Sequence, residues 1–210
     1  MPAHSRDVIE KFFGLCDWLL QVWQMQKFLF DENPNESVLR EPRYAHFFYR
    51  LQVVLQEHWL HQLAKLHDPA VQGGANGHIN LSLDYIIEYG QWDAQTEAKL
   101  KDLKSRMSSL AKPVRDARNK VLSHNDLAVL LTSKELGAFD PGEDEQYFIR
   151  LREFASLVTE SALGEPFVYD DLVENDVSSF MHAFLRGADA NPAAHKRGQT
   201  TVLRGNHHLR

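Results

Sequence analysis

From near Pro42 to Leu66, the residues Phe47, Leu51, Val54, Leu55, Leu63 and Leu66 recur at the spacing of one helix face. An extended strand would send alternate members of that set to opposite sides, so the stripe commits this stretch to a helix that docks by one face. Pro42 suits a first helical turn, and Asp68-Pro69 ends the pattern. Similar punctuation brackets the other stretches. Asp7 with Glu10 opens a helix that reaches about Phe30, where Asp31-Glu32-Asn33-Pro34-Asn35 breaks it. A Gly-rich loop covers Gln72 to Gly77, and Asn80 or Ser82 then caps a short helix from Leu83 to Tyr89, closed by Gly90. Asp93 starts a helix to about Leu110, and Pro113 restarts it. Pro141 to Leu163, closed by Gly164, and Asp170 or Asp171 to Arg186 complete the set. Only Leu127 to Thr132, apolar and partly β-branched, fits a short strand or an extended loop. The expected class is all-α, an antiparallel helical bundle.

The apolar supply is sufficient for such a bundle, with 43% hydrophobic residues, 12 Phe and 4 Trp. Residues 1–187 read as one helical domain. Residues 188–210 change character: they bring Asn191-Pro192 and small residues, and Arg186–Arg210 holds five Lys/Arg against Asp189. This basic tail is expected to be mobile alone and to order against RNA or a partner. The most apolar run, Phe12 to Phe30, is interrupted by Asp17, Gln21, Gln24, Gln26 and Lys27, too often for a membrane span. No signal peptide is legible at the N-terminus. The single cysteine, Cys16, excludes an intrachain disulfide and reads as a small buried hydrophobe, so the cytoplasm is the expected compartment. A net charge of −6 excludes nucleic-acid binding through bulk positive charge. Any nucleic-acid site has to be local.

The strongest candidate for chemistry is Arg118-Asn119-Lys120-Val121-Leu122-Ser123-His124. Val114, Ala117 and Val121 form a docking face that leaves Arg118, Asn119 and His124 off the core. On an ideal helix Arg118 and His124 are about 9 Å and roughly 120° apart, so they converge only if the helix loosens near Ser123. Asn125-Asp126, both helix-ending types, follow at once. The residue types suit RNA cleavage by the RNA's own 2′-hydroxyl. Histidine moves protons near neutral pH, and a guanidinium steadies phosphate through two aligned donors. Asn119 is placed to bond a phosphate oxygen or to orient His124. This chemistry needs neither metal nor cofactor. Spacing alone is weak support, since Arg40 and His46 show the same interval across Pro42.

Other constellations carry blander readings. Glu57, His58 and His61, with His46 and His67 nearby, lack the spacing of a metal-binding helix, and His58 falls on the apolar stripe as a core or interface histidine. The Gly73–Gly77 loop has neither a preceding strand nor a following Lys-Ser/Thr to make it a phosphate cradle. The run Phe47-Phe48-Tyr49 has rings that can stack on bases, but core packing is the stronger expectation.

The segment Asp116 to Asp126 resembles the signature of HEPN domains, in particular the AbiU-like branch linked to abortive phage infection: Arg, a polar residue, Lys and apolar positions lead to a small residue, His, one variable residue and Asp. Trp59 to Pro69 and Asn80-Leu81-Ser82-Leu83 resemble that branch as well, and the likeness spans roughly residues 5 to 165. It implies a HEPN-type bundle that forms a homodimer, with two Arg–His helices facing one cleft, and a metal-independent endoribonuclease of toxin or phage-defence type. Carried over, Arg118 holds phosphate, His124 is the acid/base and Asn119 assists. Asp126 orients His124 or caps the next segment, while Lys120 and Arg115 support binding. The expected partners are an RNA substrate and an antitoxin protein. HEPN toxins silenced by nucleotidylation carry Tyr two residues after the His; Asp126 stands there instead, which argues against that control. The alternatives are a catalytically inactive HEPN module that binds RNA or a partner protein, and an acidic helical scaffold for a basic partner.

Overall fold

Ser5, rather than Asp7, starts the first helix: its hydroxyl accepts the Val8 amide at 3.4 Å and its carbonyl accepts the Ile9 amide at 3.2 Å. Asp7 sits instead in the first turn, where a carboxylate suits the positive end of the helix dipole. The computed structural model describes residues 5–73, 77–117, 140–166, 168, 169 and 171–190. The Leu127–Thr132 segment and residues 191–210 lie outside the described residues.

Helix α1 covers Arg6–Gln26 and buries Ile9, Phe12, Cys16, Leu19, Leu20 and Trp23. Cys16 is fully enclosed and burial pushes its thiol pKa up, so it is the small hydrophobe expected. The chain then widens into a π-turn over Lys27–Asp31. Just after the Asp31–Asn35 breaker comes a one-turn helix that the sequence reading did not predict, α2 (Glu36–Leu39), which drops Leu39 into the interior; four residues are too few to show a period. Helix α3 covers Ala45–Leu66. Pro42 lies before it in a turn rather than in its first turn.

The Gly-rich stretch is bracketed by a two-residue antiparallel ladder, β1 (Val71–Gln72) with β2 (His78–Ile79), in register Val71 to Ile79 and Gln72 to His78. Asn80 does not cap the next helix: it ties this ladder to the end of α3, donating to the Pro69 carbonyl at 2.8 Å. Ser82 is the cap, accepting the Tyr85 amide at 3.3 Å, and α4 covers Leu83–Tyr89. Gly90 is required because a Cβ there would meet the Trp92 indole at 2.1 Å, and that indole donates to the Ile86 carbonyl at 2.9 Å. Asp93 caps α5 by accepting the Gln95 and Thr96 amides, both at 2.9 Å. Helix α5 covers Ala94–Ala117 and runs unbroken through Pro113. The lost backbone bond is offset by burial of Met107, Leu110, Ala111 and Val114 on one face. Helix α6 (Glu143–Leu163) begins after Gly142 at φ 84° and closes at Gly164 at φ 68°, as its Gly-closed ending suggests. Helix α7 covers Val173–Ala190, running through Gly187 beyond the expected end at Arg186. The all-α class therefore holds: among the described residues there are seven α-helices and one minimal ladder.

Directions follow from named contacts. Trp18 meets His58 and Phe30 meets Phe48, so α1 and α3 are antiparallel. Arg6 reaches Glu165, Phe12 meets Phe154 and Lys27 pairs with Glu145, so α1 and α6 are antiparallel as well. In α5, Arg106 offers its carbonyl to Arg150 of α6. The main core is built by α1, α3, α4, α5 and α6. A second cluster joins the π-turn, α2, the start of α3 and α7. Among the described residues no helix is long and apolar enough to cross a membrane. Phe154 is fully buried against Phe12, so Phe154→Ala is expected to cost about 3–5 kcal/mol, measured as a lower midpoint in urea unfolding at unchanged slope.

Candidate functional site

The Arg–His segment begins where α5 ends. Arg118, Asn119, Lys120, His124 and Asp126 all lie outside the described residues; Arg115 lies within them. What the structure supplies is the seat from which that segment departs. Of the docking face, Val114 is buried and Ala117 half-buried, while Val121 lies outside the described residues; Leu110 and Ala111 are buried beside them. Arg115 is half-buried, and its Nε is enclosed with no hydrogen-bond partner among the described residues.

Beside this end of α5 lies a pair that the motif does not include. His67, just past the last turn of α3, is 5% exposed, and its Nε2 shares a hydrogen bond of 3.2 Å with the hydroxyl of fully buried Tyr147 in α6. Burial pushes the His67 pKa down to about 3, and the cations Lys104 and Arg115 act in the same direction, against a smaller opposing effect of Asp68. Burial likewise raises the Tyr147 phenol. The pair is thus an imidazole and a phenol that both stay uncharged. Lys104 is itself held by Asp84 at the start of α4. Together these groups fix the end of α3 and the start of α4 against α5 and α6. His67 cannot trade protons near neutral pH, so it serves as a structural prop beside the seat and not as the acid/base.

The remaining expectations sort by burial. His58 accepts from the Trp18 indole at 3.2 Å, the interface histidine expected. His46 is exposed, so the histidines of α3 go to separate surroundings. No group of three His, Cys, Asp or Glu side chains that could hold a metal forms among the described residues. Core packing of Phe47-Phe48-Tyr49 holds for Phe48 alone. Phe47 is 64% exposed and Tyr49 67%, because a single helix face cannot take three consecutive rings. The His67–Tyr147 contact escaped the sequence reading because the partners stand 80 positions apart and nothing local signals them. The one hint was that His67 belongs to the Trp59–Pro69 stretch of the family likeness.

These features, an all-α antiparallel bundle whose long helix α5 precedes the Arg118–His124 segment in the chain, fit a HEPN-type domain. More particularly, the chain belongs to the HEPN_AbiU2 family (AbiU2), whose model matches residues 6–182. The match takes in α1, most of α7 and the whole Arg118–Asp126 segment, and so extends beyond the limit near residue 165 expected from motifs. No curated protein matches the chain, and no solved structure does. Membership points toward ribonuclease or abortive-infection roles.

The prop has a measurable signature. An unfolded imidazole takes its proton near pH 6.5, the folded one only near pH 3. Between those values the unfolded state binds more protons, so stability falls as pH drops. Urea unfolding at pH 7, 6, 5 and 4 is expected to show His67→Asn losing less stability on acidification than the wild type, by up to about 1.4 kcal/mol per pH unit.

Proposed function

We propose that this chain is a metal-independent endoribonuclease of toxin or phage-defence type. In this reading the 2′-hydroxyl of RNA attacks the adjacent phosphorus. The new 2′-O–P bond forms as the P–O5′ bond breaks, the 2′-proton leaves to a base and the 5′-oxygen gains one. His124 moves the proton, Arg118 holds the phosphate oxygens and Asn119 bonds a phosphate oxygen or orients His124. Arg115, Lys120 and Asp126 support binding and orientation. The observation that carries the reading is a family match over residues 6–182, a span that includes Arg118–His124. The reading includes a homodimer in which two such segments face one cleft, and an antitoxin protein that restrains the activity.

The test is cleavage of a structured cellular RNA by the wild type, His124→Ala and Arg118→Ala, with EDTA throughout. Wild-type cutting is expected to persist in EDTA and to fall on the order of 10²- to 10⁴-fold in His124→Ala, with Arg118→Ala also severely reduced and all three melting at similar temperature. Equal background cleavage in the three would overturn the catalytic reading and leave an RNA- or protein-binding HEPN module.

A further inference from the structure

Two exposed stripes run along the first half of α3, and neither is used by the reading above. Positions 47 and 50 lie on one line of the helix and positions 46, 49 and 53 on the next, with position 43 in the turn just before the helix. The first line carries Phe47 and Arg50, the second carries His46 and Tyr49, and Arg43 stands in the turn that leads into them. All five are exposed, and the two rings are more than half so. From Pro42 to Gln56 the chain has no Asp or Glu, although the protein as a whole carries −6. Arg50 makes no ion pair among the described residues.

The rings are braced from below. Phe47 stands edge-on to buried Phe48 at 5.2 Å and 83°, and Phe48 is held in turn by Phe184 of α7 at 5.3 Å. Arg43 lies over the Tyr44 ring at 4.6 Å while Glu41 fixes its Nε at 2.9 Å. Phe184 meets Tyr44 at 4.8 Å and stacks on Phe180, which is 47% exposed, so the aromatic surface continues onto α7.

We infer that this face of α3 is a binding surface for single-stranded RNA, with Phe47 and Tyr49 stacking on unpaired bases and Arg50, Arg43 and His46 meeting the phosphates. It rests on the proposed ribonuclease reading for the identity of the strand, and it supplies the local cationic site that an acidic chain requires. Stacking on exposed rings tolerates any base, while the cations follow the backbone. A docking face for apolar protein would need neither the cations nor the missing carboxylates.

The experiment measures binding of a fluorescent 12-nucleotide single-stranded RNA by anisotropy, using the full chain carrying His124→Ala so that cleavage does not interfere. Phe47→Leu and Tyr49→Leu are each expected to weaken binding on the order of 5- to 100-fold, the range of one lost base stack, while Phe47→Trp restores it. Arg50→Ala is expected to lower the slope of affinity against salt by about 0.7, and the same sequence as a duplex is expected to bind more weakly. Unchanged affinity in both leucine variants overturns the proposal. So does a change in those variants from dimer to monomer in sedimentation without loss of RNA affinity, which would make the face a contact between copies. A wild type that cuts no RNA, but whose oligonucleotide binding depends on Phe47, overturns the ribonuclease reading and leaves this surface standing.

Discussion

Two consecutive residues of α6, Tyr147 and Phe148, hold the described bundle together. Both are buried, and each reaches a different neighbour. Phe148 stacks on Trp23 of α1 at 4.3 Å and meets Trp59 of α3 at 6.2 Å, while Tyr147 bonds His67 at the end of α3. Aromatic contacts of this kind add about 0.5–1.5 kcal/mol each beyond the area they bury. Their larger effect here is geometric. With α1, α3 and α6 locked at one junction, the face left for α5 is set, and with it the place where the Arg118 segment leaves the core. Trp23 tightens the same junction by donating to Asp144 at 2.8 Å, and Lys27 does so by pairing with Glu145 at 2.6 Å.

That junction also distributes charge. The first turn of α6 carries Glu143, Asp144 and Glu145, a placement the helix dipole favours. Asp144 and Glu145 are engaged by Trp23 and Lys27, so part of the protein's acidity is paired within the chain. Asp31 shows what crowding does nearby: burial raises its carboxyl pKa, and Asp144, Glu32 and Glu36 push in the same direction. The first half of α3 has no such carboxylates. A polyanion approaching this acidic chain therefore meets a surface of uneven sign, and the sequence charge alone does not describe what it meets.

Environment assigns the histidines different capacities. His67 is enclosed beside two cations and stays neutral through the pH range of the cell. His58 is engaged by an indole N–H. A residue that exchanges protons at neutral pH needs partial hydration and a place for the charge to go. His67, enclosed beside two cations, offers neither and serves as a structural group.

Most of the helices were legible in the sequence because their causes are local. Ser82 and Asp93 cap the helices that follow them, Gly90 and Gly164 close α4 and α6, and the apolar spacing of α3 marks its buried Leu63 and Leu66, though not Phe47 and Val54, which are exposed. The candidate site was legible as a motif for the same reason: Arg118, Asn119 and His124 are close in the chain. Local signals misjudged the first cap at Ser5, the unbroken α5 through Pro113, the one-turn α2 and the small ladder at Val71, where tertiary burial or short length overrides propensity. Tertiary structure alone decided that His67 is a neutral prop bonded to Tyr147 and that Phe47 and Tyr49 face outward while Phe48 does not. Those facts depend on which helices become neighbours, and burial, which sets both a histidine's charge and a ring's availability, is a property of the packed bundle rather than of any one segment.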